Sequence, residues 1–194
     1  MDDNYEDYDT DNVLDNFNNK KKKKNSGRKG KRGERSLIEE LEERFPGKPF
    51  SRTIGSGNRW SQARLTEAAK KVFTGDIVTP EDFLFALECK HGYNHISLER
   101  AVKRVVEGKS GNKQLDGFLE QANKDGERVS KMPMMCWKKD YKPWLAFLKT
   151  EHLPRELQDL PELIIYHEWS VLPLVKVLER PDGFFFKVVE DGDA

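Results

Sequence analysis

The apolar positions of this chain change their period several times. Leu37, Ile38, Leu41 and Phe45 recur at helical spacing and stop at Pro46-Gly47, which predicts an amphipathic helix. Residues 48–54 read as a short strand, with Gly55-Ser56-Gly57-Asn58 as a tight loop after it. Leu65, Ala69 and Val72 predict the inward face of a helical insertion over residues 60–73. A hairpin over residues 76–90 follows. Ser97 can cap a helix carrying Leu98, Val102 and Val106, and residues 108–112 link it to a helix with Leu115, Phe118, Leu119 and Ala122 inward. Residues 132–137 and 144–148 read as strands joined by the polar turn 138–143. The tail offers residues 163–169 and 184–189 as strands, while residues 171–179 fit helix or strand. Strands interleaved with helices predict an α/β fold, a central mixed sheet flanked by helices. No internal repeat is apparent.

The hairpin carries the chemistry. Glu88 and Lys90 share one strand face, while Cys89 points to the other. A loop centred on Asp82 puts Val78 opposite Ala86 and Asp76 beside Glu88, with Pro80 and Asp82 as turn residues in the connection 79–85. Two acids and a lysine then meet at one end of a sheet, which suits a divalent cation and an attacking water. Glu34 precedes Leu37 and Ile38 by three and four residues, and so lies on their inward stripe. A carboxylate there is costly unless paired or cation-bound; equally, a first-turn position would complement the helix dipole. The residues alone leave both readings open. Cys89, His91 and His95 suggest zinc, but a soft site asks for a fourth ligand and Cys136 is the only other cysteine. The histidines therefore read as polar loop residues.

Charge changes the picture at the N-terminus. The 194 residues suffice for one domain with a core, and their formal net charge is zero. Yet residues 1–19 hold seven acids and no Lys or Arg, and residues 20–35 hold ten basic residues and one acid, Glu34. The first ~28 residues lack periodicity and are expected to be a disordered charged tail. The run of lysines from Lys20 to Lys24 reads as a nucleic-acid arm, a localisation patch or a solubilising charge. No apolar stretch approaches the ~20 residues of a membrane span, and the acidic start is unlike a signal peptide. Both cysteines sit in apolar runs and read as buried thiols of a reducing compartment. Membrane and disulfide-framework classes are thereby excluded, and an intracellular, cytoplasmic protein is expected.

Four segments in order, Lys29-Gly30-Lys31-Arg32-Gly33-Glu34-Arg35, Gly55-Ser56-Gly57, Gly75-Asp76 and Glu88-Cys89-Lys90, resemble the PD-(D/E)xK nuclease superfamily. Within it the chain is most similar to archaeal Holliday-junction resolvases and related phage-encoded nucleases. The resemblance implies a restriction-endonuclease-like core over residues 29–150, after a tail of residues 1–28 and before a C-terminal extension, residues 151–194, packed on the core. It implies that Asp76, Glu88 and the Cys89 backbone carbonyl bind Mg²⁺, for which Mn²⁺ would substitute. Lys90 would orient or help deprotonate the attacking water, or else form a structural ion pair with Glu88 or Glu34. Glu34 matches a helix-borne acid that completes the carboxylate cluster, which favours its functional reading. Ser56 matches a substrate-contacting loop. Gln121 falls where some members carry a glutamine near the site, although a solvated helix residue is its ordinary reading. Gly75 departs from the family pattern by standing where the superfamily name has Pro, and residues 58–74 are longer than the link in minimal resolvases.

Carboxylates repel DNA phosphates, so cations must surround them. Lys29, Lys31, Arg32 and Arg35 beside Glu34, with Arg52 and Arg59 near the Gly-Ser loop, would grip the backbone without reading sequence. The expected function is Mg²⁺-dependent endonucleolytic cleavage of branched or structured DNA by a resolvase-like homodimer, in the host cytoplasm if phage-encoded. The alternatives are a nicking, repair-type or restriction-like endonuclease on the same core, or a DNA-binding module without catalysis.

Overall fold

The computed structural model describes residues 26–53 and 75–187. The expectations for the acidic-basic tail through residue 25, the Gly-Ser loop with Ser56, Arg59, and the insertion helix lie outside these residues. Among the described residues, seven strands form one mixed sheet in the order β1-β2-β3-β4-β5-β7-β6. They are β1 (Ser51–Arg52), β2 (Ile77–Val78), β3 (Phe85–His91), β4 (Met132–Lys138), β5 (Trp144–Lys149), β6 (Ile164–Tyr166) and β7 (Trp169–Pro173). Only β3 and β4 pair in parallel. A parallel pair needs a crossover, and α2 (Leu98–Val106) with α3 (Lys113–Val129) supplies it. The mixed α/β sheet with flanking helices is the fold expected from the pattern.

Helix α1 (Ser26–Arg44) begins earlier than its apolar stripe suggests, so Glu34 sits two turns inside it rather than in its first turn. Its stripe is as expected: Leu37, Leu41 and Phe45 are buried. The chain then turns at Gly47, whose φ of +82° suits glycine. Alternation along β4 divides the core in two. Met134 and Cys136 join the cluster under α1, and Met135 and Trp137 join the cluster under α2 and α3. Helices cover both faces, which is why β4 reads as a continuous apolar run.

Ser97 caps α2 by accepting a hydrogen bond from the Arg100 N–H. Val106, expected inward, is exposed; Leu98, Ala101, Val102 and Val105 form the packed stripe. That set follows i, i+3, i+4, i+7; Val106, at i+8, continues the stripe but is the last residue of the helix and is left exposed there. Leu115, Phe118, Leu119 and Ala122 of α3 pack as expected.

The C-terminal reading needs correction. Residues 163–169 are not one strand but the hairpin β6–β7, turned at His167 with φ +53°. Residues 171–179 are both strand and helix, changing at Pro173 into α5 (Leu174–Leu178). The start of the expected strand 184–189 is instead α6 (Asp182–Phe185), begun at Pro181. Phe185 and Phe186 pack on Phe45 and Phe83, so this aromatic run is a plug for the core rather than a strand face. The short α4 (Arg155–Gln158) buries Leu157 between β5 and β6 in the chain.

Candidate nuclease site

The pairing Ile77↔Leu87 is the expected register, and it brings Asp76 beside Glu88. Gly75 has φ +81°, and a Cβ there would lie 2.7 Å from the Leu87 carbonyl oxygen. Proline, fixed near −65°, cannot adopt that φ, which accounts for the departure at this position. The Asp76 N–H donates to the Leu87 carbonyl at 3.1 Å, and one Asp76 carboxylate oxygen accepts the Cys89 N–H at 3.0 Å. The acid is thus clamped against β3 just before β2 begins.

Glu88 is 1% exposed, on the α3 side of the sheet. One of its oxygens accepts a hydrogen bond from Lys90 Nζ; the other, Oε2, is buried with no hydrogen-bond partner. Lys90 also donates to Gln121 Oε1 at 3.2 Å and lies 5.0 Å from the Phe118 ring centroid. Burial first, and then the Asp76 charge, push the Glu88 carboxyl up to about 8, against the opposing pull of Lys90. Asp76 before β2, Glu88 and Lys90 on β3, and Gln121 on α3 therefore come together.

The same helix face carries an acid that the pattern did not reveal. Asp125 is one turn after Gln121, pairs with Arg128 at 3.4 Å, and acts electrostatically on Glu88. Burial raises its own carboxyl, with Arg128 opposing and Asp76 adding. Its i+4 spacing from Gln121 is the one sequence signal that points to it.

Glu34 is 7% exposed, and its Oε2 accepts a hydrogen bond from Arg52 Nε at 2.5 Å. Its inward position is as expected. It belongs to the α1 side of β3, opposite to Glu88. The Cys89 thiol feels both sides: burial, then Asp76, Cys136, Glu34 and Glu88, hold it far above its ordinary value. Of the expected backbone-gripping cations, Lys31, Arg32 and Arg35 are exposed on α1. Lys29 is tied to Asp140 at 2.5 Å, and Arg52 to Glu34. The zinc alternative dissolves, because His95 pairs with Gln114 and His91 with the Lys29 carbonyl, while Cys89 is buried in the core.

Among the described residues, no three His, Cys, Asp or Glu side chains form a ready metal cage. Asp76 and Glu88 nonetheless fit a hard cation that keeps several waters, as Mg²⁺ does. The unpartnered, buried Glu88 Oε2 is the kind of oxygen whose desolvation a bound cation would offset.

A mixed sheet whose β2–β3 hairpin sets an Asp beside a Glu-x-Lys defines a nuclease core of the PD-(D/E)XK class. Residues 25–175 match the family described as "Phage putative PDDEXK endonuclease", and the chain belongs to that family. No curated protein and no solved structure matches it. The match extends through β7, well beyond the hairpin motif. PD-(D/E)XK nucleases are hydrolases that generally use divalent metals. No helix among the described residues is long and apolar enough to cross a membrane.

Proposed function

We propose that this endonuclease cleaves branched or structured DNA with Mg²⁺, in the manner of a junction resolvase. The observation that carries the metal dependence is the buried Glu88 carboxyl, unpartnered at Oε2 and beside Asp76. Asp76, Glu88 and the Cys89 carbonyl would hold the ion, and Mn²⁺ would replace it. Bound there, a divalent cation lowers the pKa of water and neutralises charge on the phosphoryl oxygens.

The chain's own residues prepare the rest. The Cys89 N–H fixes the Asp76 carboxylate, so this ligand needs no reordering. Gln121 and the Phe118 face hold Lys90 Nζ beside Glu88, where it can donate to a phosphoryl oxygen or orient the attacking water. Hydrolysis forms one P–O bond from water, breaks the bond to the leaving sugar oxygen and releases a proton to solvent. Asp125 contributes negative potential that strengthens cation binding, and Glu34 acts through Arg52 as a positioning pair on the other side of β3. Lys31, Arg32 and Arg35 grip the DNA backbone from α1, with Ser56 and Arg59 completing the grip, while Lys29 and Arg52 are held in ion pairs with Asp140 and Glu34.

A branched substrate has two strands to cut, and a homodimer would present two sites to them. Exposed Ile164 and Ile165 on the edge strand β6 are consistent with such a contact. Light scattering of the DNA complex reads this directly, and a monomer mass removes the dimer.

The central test is cleavage of plasmid and four-way-junction DNA by the wild type and by Glu88→Ala, in Mg²⁺ and in Mn²⁺. Wild type is expected to cut and the variant to fail. A wild type that cuts neither substrate ends the catalytic reading and favours the binding module. Equal cutting of linear duplex and junction ends the resolvase-like reading alone and favours a nicking, repair-type or restriction-like enzyme.

A further inference from the structure

The turn between β4 and β5, Lys139-Asp140-Tyr141-Lys142, starts one residue past Lys138, which pairs with His91 at the C-terminal end of β3. Lys138 is three residues beyond Met135, the partner of Glu88, and so about 10 Å along the sheet at ~3.3 Å per residue. The turn therefore stands at the nuclease end of the molecule. Its most unusual member is Tyr141. The ring is fully exposed, and the backbone holds φ +60°, a region that bulky side chains rarely adopt.

Neither property benefits the fold, since an exposed ring gains no burial and the left-handed backbone is strained. The conformation is nevertheless firmly held. Asp140 Oδ2 accepts from Lys29 Nζ at 2.5 Å and from Asn94 Nδ2 at 2.7 Å, and the Asp140 N–H donates to Asn94 Oδ1 at 3.0 Å. The Lys142 N–H closes the turn on the Lys139 carbonyl at 3.2 Å, and Pro143 follows. The backbone beneath Tyr141 is thus anchored, and its ring projects into solvent from that support.

Its surroundings are cationic. Tyr141 lines a cleft of about 640 Å³ with Arg28, Arg32, His91, Lys138 and the Lys29–Asp140 ion pair. Of the cations lining this cleft, Arg28, Arg32 and Lys138 make no ion pair among the described residues, and Lys138 Nζ lies over the Trp144 ring at 5.4 Å. A positive groove with an aromatic at its rim is the arrangement that holds a nucleic-acid strand by its phosphates and stacks one of its bases. A paired base offers no free face to such a ring; an unpaired or splayed base does.

We propose that the 138–142 turn is a DNA-recognition element, in which Tyr141 stacks on an unpaired base next to a duplex while Arg28, Arg32 and Lys138 hold that strand's phosphates. This rests on the nuclease reading above and narrows its substrate to DNA with open bases, such as a fork or a junction centre. The measurement is fluorescence anisotropy in EDTA, with the full chain, a labelled Y-shaped fork and a fully paired duplex of the same length. Wild type is expected to prefer the fork. Tyr141→Ala should weaken fork binding about tenfold and pull the fork-to-duplex ratio towards one, whereas Tyr141→Trp should keep the preference. Lys138→Ala should weaken both probes alike and reduce the salt slope by about one.

The proposal is overturned if wild type does not prefer the fork, or if Tyr141→Ala binds it as wild type does. An equal loss on both probes overturns it as well, because that would make Tyr141 a backbone contact. Circular dichroism of each variant confirms the fold, which a fully exposed ring does not support. A protein that binds the fork through Tyr141 yet cuts no DNA in Mg²⁺ or Mn²⁺ sinks the nuclease reading and leaves this one standing. One that cuts, with Tyr141→Ala retaining the fork preference, does the reverse.

Discussion

Strand β3 begins and ends in opposite environments. At its start Phe85 belongs to an aromatic plug with Phe45, Phe83, Phe184, Phe185 and Phe186, whose ring centroids lie 4.9 to 6.2 Å apart. Three residues later Glu88 is equally buried, but as an acid beside an acid, with an oxygen that nothing satisfies. One end lowers the free energy of the folded chain and the other raises it. Edge-to-face aromatic packing and full burial stabilise strongly, while a desolvated carboxyl destabilises. A desolvated carboxyl is tolerable here because its own strand is anchored a few residues away.

Each end can be broken separately. The largest effect is expected from Glu88→Gln, which should lower the cleavage rate by at least about 10³-fold while melting within a few degrees of wild type, because the amide is similar in shape and uncharged. A large fall in melting temperature would instead make Glu88 structural. Phe83→Ala should behave in the opposite way, costing about 3–5 kcal/mol in denaturant unfolding by removing a ring buried among five others. Gln121→Ala comes next. It frees Lys90 from its second partner and should cut kcat about tenfold with KM little changed, a split that a surface residue would not produce.

The smallest effect sharpens the contrast through pH. Without a divalent ion, the Glu88 carboxyl is raised from 4.5 to about 8, so folding favours its protonated form. That contribution is fully present below the unfolded value and is lost as pH rises towards about 8. An ion must displace the proton, so Mg²⁺ affinity should climb from pH 6 to pH 8. Thermal melts with and without Mg²⁺ read both trends: a falling metal-free melting temperature and a growing Mg²⁺ increment. An increment independent of pH would place the ion elsewhere.

Much of this contrast was legible in the sequence, and for local reasons. Alternation and the Pro80/Asp82 turn specify the hairpin register, since a slip by one residue would turn Glu88 into the opposite core. The inward Glu34 followed equally from helical spacing. Asp125 did not, because the azimuth of α3 depends on how the helix docks on β3 and β4, which propensity does not encode. Turn chemistry hid the β6–β7 hairpin: Tyr166-His167-Glu168-Trp169 contains no Gly or Asn, yet His167 takes the positive φ. The aromatic run Phe184-Phe185-Phe186 misled in a different way, since its partners Phe45 and Phe83 are distant in sequence and only tertiary contact reveals a plug.

Cys89 and Cys136 face each other across the one parallel pairing of the sheet, both buried as free thiols whose ionisation burial suppresses. Alkylating reagents attack thiolates, so the native protein should be silent to them. Any labelling that does occur counts the moments at which β3 and β4 come apart, and thus times the opening of the strand that carries the acids. The molecule contains its own clock for local unfolding, placed directly behind Glu88.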